Sequence, residues 1–168
     1  MGRYDFWPKL VEALSGEPVR VIASMDEPEK YEAEVPDHFL VREHLPAGLV
    51  LERTSLVVGL GKSSTMLGAL ANAVPMLLFP VWSEQPYVAA RCEAAGVATI
   101  LIPHVPADMA PGKIRSAVRA LLKDDNPVCI AISKMRRELT EGGFNRAADL
   151  LAYLAEHPQP LRRKGVGA

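Results

Sequence analysis

Residues 56–80 read LVVGLGKSSTMLGALANAVPMLLFP. An apolar run, Leu56–Val58, leads into Gly59 and Gly61. Three hydroxyl residues, Ser63, Ser64 and Thr65, then open a stretch of small residues, and a second apolar run follows at Pro75–Pro80. A strand covered on both faces is continuously apolar rather than alternating, so the two runs predict neighbouring strands of a parallel sheet. The stretch between them predicts the crossover helix of a βαβ unit. Working outward, β-rich runs recur at Val19–Ser24, His38–Arg42, Ser55–Leu60 and Ala98–Ile102, with helical stretches at Ser63–Asn72 and Glu84–Ala95. This alternation predicts an α/β fold with a Rossmann-like, doubly wound parallel sheet.

The flanks read as helices. Trp7, Leu10, Val11 and Leu14 share one helical face, with Pro8 in the first turn and Gly16 at the end. Beyond Pro103 three apolar stripes follow helical spacing: Ile114, Ala117, Val118, Leu121 and Leu122; Val128, Ala131, Ile132, Met135 and Leu139; and, past Gly142–Gly143, Phe144, Ala147, Ala148, Leu151 and Leu154. All three are expected to face a core. One domain over residues 1–157 is expected, with residues 158–168, which carry two prolines and a small basic cluster, as a flexible tail.

Composition narrows the partners. With 168 residues, 49% of them hydrophobic and 23% charged, the chain can bury a substantial core. Its net charge of −1 gives no footprint for nucleic acid or an anionic membrane, and no apolar run approaches the ~18 residues of a membrane span. Cys92 and Cys129 have neither paired spacing nor a histidine cluster beside them, so neither a disulfide nor a metal site is expected, and a reducing, cytoplasmic setting fits.

Chemistry concentrates at the start of the 63–72 helix. In open α/β sheets ligands bind beyond the carboxyl ends of the strands, where a helix N-terminus offers free amides and a positive dipole end to an anion. Gly61, Lys62, Ser63, Ser64 and Thr65 stand there: glycine permits close approach, the hydroxyls can donate, and the lysine adds charge. The plainer alternative is that Ser63 or Ser64 only caps the helix. A Walker A loop needs a glycine where Leu56 stands, and a dinucleotide fingerprint needs one where Ser64 stands, which disfavours both. His38, His44 and His104 have no spacing with a carboxylate or second histidine, and Asp124–Asp125 and Arg136–Arg137 read as solvated.

Taken together, residues 45–101 resemble the C-terminal, donor-binding domain of GT-B fold glycosyltransferases of the antibiotic and macrolide type, similar to the UDP-glucuronosyl and UDP-glucosyl transferases. The resemblance rests on Leu45–Pro46, Leu51, Leu56–Val58, Gly61, Ser64–Thr65, Ala69–Leu70, Val74–Pro75–Met76, Pro80, Glu84–Gln85, Arg91 and Gly96, in order and without gaps. It implies that Ser64 and Thr65 hold the diphosphate of a nucleotide-sugar donor, that Glu84 and Gln85 bond the sugar hydroxyls, and that the loop from Pro46 through Ala47 to Gly48 lies beside the base. The donor is a substrate; no cofactor or metal is implied.

The chain also departs from the pattern. Leu60 stands where the resemblance expects a histidine near the phosphates, and Ala73 where it expects a glycine; Ala47, Gly68 and Val88 replace polar residues. No catalytic residue is assigned, because the resemblance places the acceptor-side base on another domain. It also implies a first, central strand upstream of Trp7, whose lack would leave two inner sheet edges open to oligomerisation or to a partner's strand. The expected function is donor binding for transfer of a sugar to a small natural-product acceptor. The alternative is a non-catalytic auxiliary subunit of a partner transferase.

Overall fold

The computed structural model describes residues 6–31, 35–140 and 143–157. Helix α1 (Phe6–Leu14) leads to strand β1 (Val21–Ser24), a short 3-10 turn at Pro28–Lys30 and strand β2 (Phe39–Arg42). Then follow α2 (Ala47–Leu51), β3 (Val57–Gly59), α3 (Ser63–Ala71), β4 (Met76–Leu78), α4 (Gln85–Ala94) and β5 (Ala98–Ile100). Helices α5 (Pro111–Leu121), α6 (Pro127–Thr140) and α7 (Gly143–Glu156) complete the described chain. Every predicted strand and helix appears, the strands shorter by one to three residues. Helix α2, over which the resemblance carries Leu51, begins earlier than expected: the loop expected at Pro46–Gly48 is its entry, with Pro46 at the N-cap.

All strand pairs are parallel, with β1 beside β2 and the order β3-β4-β5 for the rest. Along the strands, successive side chains go to opposite faces, as the pleat requires. Leu77, Phe79 and Leu101 enter a core with Leu10, Ala13 and Leu14 of α1 and Ile114, Val118 and Leu121 of α5. Val57, Met76, Leu78 and Ala98 enter a second core with Met66 and Ala69 of α3, Ala89 and Cys92 of α4 and Ile132 of α6. Both faces are thus covered, which is why residues 76–79 are apolar without a break. Each large side chain fully buried there contributes about 1.5–3 kcal/mol relative to exposure.

Doubly wound architecture holds, and as expected for a sheet without its first strand, no ladder joins β1 to β3 among the described residues. Helix α1 spans the division: Phe6 meets Phe79 edge-on at 4.7 Å between ring centroids, and Trp7 meets Phe39 at 6.2 Å. An ion pair between the buried Glu17 and the exposed Arg119 fastens α1's exit to α5: Arg119 donates from Nε and Nη2 to the two Glu17 carboxylate oxygens at 2.7 Å each. Arg115 adds donations to the Ala13 and Glu12 carbonyls. His38 contacts the Leu14 carbonyl through Nε2 at 3.2 Å, so it serves the fold.

Two stripes depart from expectation. Helix α6 buries Ile132 but leaves Leu139 exposed, and on α7 Leu151 is 69% exposed although its spacing predicts a core position. The reason is the neighbourhood: α7 packs chiefly on α6, so one narrow strip is covered. The side chain of Phe144, residue Gly142 and the expected tail, residues 158–168, lie outside the described residues.

Candidate functional site

The chain leaves β3 through half-buried Leu60, which packs on the α1–α5 core, and turns at Gly61. Gly61 has φ +85°, a left-handed conformation that glycine adopts without strain. Lys62 is the N-cap of α3 and is extended, with φ −64° and ψ 133°. No side chain caps this helix. Its first helical hydrogen bond runs from the Met66 amide to the Lys62 carbonyl at 3.0 Å, which leaves the amides of Ser63, Ser64 and Thr65 without an intrahelical acceptor. All three side chains are exposed. Capping by Ser63 or Ser64, the plainer expectation, does not occur.

The turn after β4 lies against this one. A Cβ built on Gly61 would stand 4.0 Å from both Cβ and the backbone oxygen of Gln85. Gln85 is only 3% exposed, and its Oε1 accepts from the Val81 amide at 3.0 Å and the Trp82 amide at 3.4 Å. Its carbonyl oxygen is therefore occupied in shaping the β4–α4 turn, and only its Nε2 is left to reach a ligand. Glu84, the N-cap of α4, is exposed. Donation from the Ser83 hydroxyl, then from its own backbone amide, holds its carboxyl below the ordinary 4.5. Ser83 itself sits at φ +56°.

Gly61, Lys62, Ser63, Ser64, Thr65, Glu84 and Gln85 thus come from two turns that touch. Pro46 and Ala47, both exposed, connect to them through α2, whose Leu51 packs on α3 at Gly68. A Cβ on Gly68 would meet Leu51 Cδ1 at 2.6 Å, so the tip of that leucine would have to shift to admit a side chain there. Sequence reasoning missed Trp82, whose indole is 55% exposed in the β4–α4 turn beside Glu84. An aromatic residue two positions past the apolar run Pro75–Pro80 was the available signal. Cys92 is buried and its thiol is pushed up by desolvation; among the described residues no cluster of histidine, cysteine and carboxylate could hold a metal. No helix among the described residues is long and apolar enough to cross a membrane.

Fold and turns together define a Rossmann-like α/β domain with an open helix N-terminus at the carboxyl end of its sheet. No protein-family model matches the chain. It is 28% identical over 150 residues to the UDP-glucosyltransferase avaP of Aspergillus versicolor, covering 88% of this chain and 32% of that protein. Among solved structures it superposes on the glycotransferase of kitacinnamycin with a TM-score of 0.78 and 27% identity, over 91% of this chain and 40% of the other. The glycosyltransferase VinC, solved with DTDP, shares the fold at 22% identity and a TM-score of 0.74, over 88% of this chain and 37% of the other. The chain is therefore a relative of the natural-product glycosyltransferases and has the fold of part of a GT-B enzyme. It spans about a third of the avaP relative's length.

Proposed function

We propose that this chain binds a nucleoside-diphosphate sugar and serves as the donor side of a glycosyltransferase acting on a small natural-product acceptor. The observation that carries the proposal is the uncapped first turn of α3, with three exposed hydroxyls, beside the turn bearing Glu84 and Gln85. In such a transfer the anomeric carbon exchanges its bond to the diphosphate for one to an acceptor oxygen. Negative charge grows on the departing diphosphate, and the free amides and dipole of α3, with Lys62, stabilise it where it develops. Glu84, held ionised, accepts from sugar hydroxyls, while Gln85 can only donate, through Nε2. The resemblance assigns the base that takes the acceptor's proton to an acceptor-side domain or partner chain. No cofactor or metal is required, and two free cysteines suit a reducing, cytoplasmic setting.

Titration calorimetry with uridine and thymidine diphosphates and their glucose derivatives tests this reading. The chain should bind them, and Ser64→Ala with Thr65→Ala should weaken all four. Glu84→Ala should weaken the sugar nucleotides alone, by about 1.5–3 kcal/mol for a charged hydrogen bond. No binding by any ligand would overturn the proposal, and equal weakening of diphosphate and sugar nucleotide would remove Glu84 from the sugar.

One observation favours a second reading, an auxiliary subunit that keeps the fold without catalysis. Leu60, where the resemblance expects a histidine, packs on the core instead of offering a polar group. Donor binding without turnover, even after addition of an acceptor-side domain, would establish that reading.

A further inference from the structure

Among the described residues, Glu27, Ala73 and Ser83 have a positive φ without being glycine. A side chain in that conformation crowds its own backbone, a penalty that glycine escapes. Glu27 opens the 3-10 turn and pairs with Lys30, and Ala73 closes α3 with a methyl group that has no bond to make. Ser83 differs, because its hydroxyl serves the candidate site: it donates to the Glu84 carboxylate. Ser83 and Glu84 are the central residues of a turn that the Gln85 amide closes onto the Trp82 carbonyl at 3.2 Å. The first stands at φ +56° and the second at φ −74°, ψ −14°; turns with a positive φ at their first central residue favour glycine there. Serine therefore holds a glycine's place. The turn is gripped from both sides, which lets the strain persist. The buried Gln85 side chain accepts from the Val81 and Trp82 amides, and the Val88 amide makes the first hydrogen bond of α4 to the Glu84 carbonyl at 3.0 Å. The backbone that carries Glu84 is thus fixed, while its side chain is exposed and turns about several bonds. The Ser83 hydroxyl ties that side chain down.

We propose that Ser83 is a positioning residue: its left-handed backbone and its hydroxyl together aim the Glu84 carboxylate at the sugar of a nucleoside-diphosphate sugar before that sugar arrives. The inference rests on the donor-binding reading of the site. A free glutamate loses rotamer freedom when it meets a ligand hydroxyl. A braced one has lost that freedom beforehand, so the brace raises affinity without touching the ligand. A carboxylate accepts at several lone pairs, and the one taken by Ser83 leaves others for neighbouring hydroxyls of a pyranose. The diphosphate end of the ligand, at the open turn of α3, does not depend on this brace, so Ser83 acts on recognition of the sugar alone. Fold and site pull in opposite directions at this position. Glycine would relieve the strain, whereas only a side chain that donates serves the sugar, and this opposition separates a positioning role from a structural one.

Two variants of the full chain test this. Ser83→Gly relieves the strain and removes the hydroxyl; Ser83→Ala removes the hydroxyl and keeps the strain. Calorimetry with uridine and thymidine diphosphates and their glucose derivatives reads affinity, thermal unfolding reads stability, and NMR side-chain couplings of Glu84 read its rotamer with no ligand present. Both variants should bind the sugar nucleotides about tenfold more weakly and the bare diphosphates within about twofold of the parent. Ser83→Gly should do so with a Tm at or above the parent's. Glu84 should hold one rotamer in the parent and average over several in both variants. Unchanged sugar-nucleotide affinity in the variants, equal weakening of the bare diphosphates, or an averaged Glu84 rotamer in the parent would each overturn the proposal. A parent that binds the bare diphosphates while the variants lose nothing sinks the role of Ser83 and leaves the donor-binding reading standing. A parent that binds none of the four ligands, with Glu84 still held in one rotamer by Ser83, sinks that reading and with it the sugar as the target of the brace.

Discussion

Helices α3 and α4 end in the same way, but with different residues at the critical position, and this yields a sharp prediction. At the end of α3 the Val74 amide donates to the Ala69 carbonyl at 2.9 Å and the Ala73 amide to Leu70 at 3.2 Å. At the end of α4 the Val97 amide donates to Cys92 at 3.0 Å and the Gly96 amide to Glu93 at 2.8 Å. Both are Schellman closures, which need a left-handed residue just past the C-cap. Gly96 fills that position at φ +72°, whereas Ala73 is forced to φ +55°. A left-handed alanine costs about 1–2 kcal/mol, and glycine's extra freedom in the unfolded chain returns about 0.4–1 kcal/mol of any gain. Ala73→Gly should therefore stabilise the chain by about 0.5–1 kcal/mol, raising Tm by about 1–4 °C at this size. Gly96→Ala should destabilise it by about the same amount. Its new Cβ would lie 3.6 Å from Ala131 Cβ, an ordinary contact, so backbone strain alone sets the cost. Urea denaturation of both variants checks the pair. An Ala73→Gly chain no more stable than its parent, beside a Gly96→Ala chain no less stable, would refute the argument.

Gln85→Leu should leave the Val81 and Trp82 amides without their acceptor, costing about 1–3 kcal/mol in urea denaturation with or without ligand, because Gln85 shapes its own turn. Phe79→Ala should cost about 3–5 kcal/mol, since Phe79 is fully buried and packs edge-on against Phe6. Glu17 bears on pH: the hydrogen bonds from Arg119 hold its carboxyl below the ordinary 4.5. A lowered folded value gives stability that is present above pH 4.5 and lost as pH falls from there through the folded value. Glu17→Gln should flatten the decline of Tm in that acid window while lowering Tm at neutral pH; an unchanged acid slope would show that the pair contributes nothing.

The fold was legible because burial on both faces writes itself into a chain as unbroken apolar runs. Pro75–Pro80 is the clearest case, with all six residues buried. Local spacing cannot report what covers a stripe, so Leu151 on α7 reads like Ile114 on α5, yet one is exposed and the other fully buried. Nor does an apolar run report the neighbour on a strand's second edge, so the division between β1 and β3 was legible through the resemblance and its missing first strand rather than through spacing. At the site, the open turn of α3 was visible in the Gly61–Thr65 composition. The absence of a cap was not, because a serine at the first helical position and one at the N-cap differ by a single residue of register, which only backbone angles decide.

Gln85 shows how a residue can belong to a site without being spent on the ligand. Its side chain faces inward and gives the two part-buried amides after Pro80 their acceptor. That bond fixes the path of the turn, and the turn fixes where Glu84 and Trp82 emerge. Because Gly61 lies against Gln85, the same side chain also sets how closely the α3 turn approaches the α4 turn. The resemblance pairs Glu84 with Gln85 as two sugar contacts, but their surroundings differ. On the proposed reading the exposed carboxylate is the group that meets the sugar, while the buried amide shapes the β4–α4 turn and keeps only its Nε2 for a ligand.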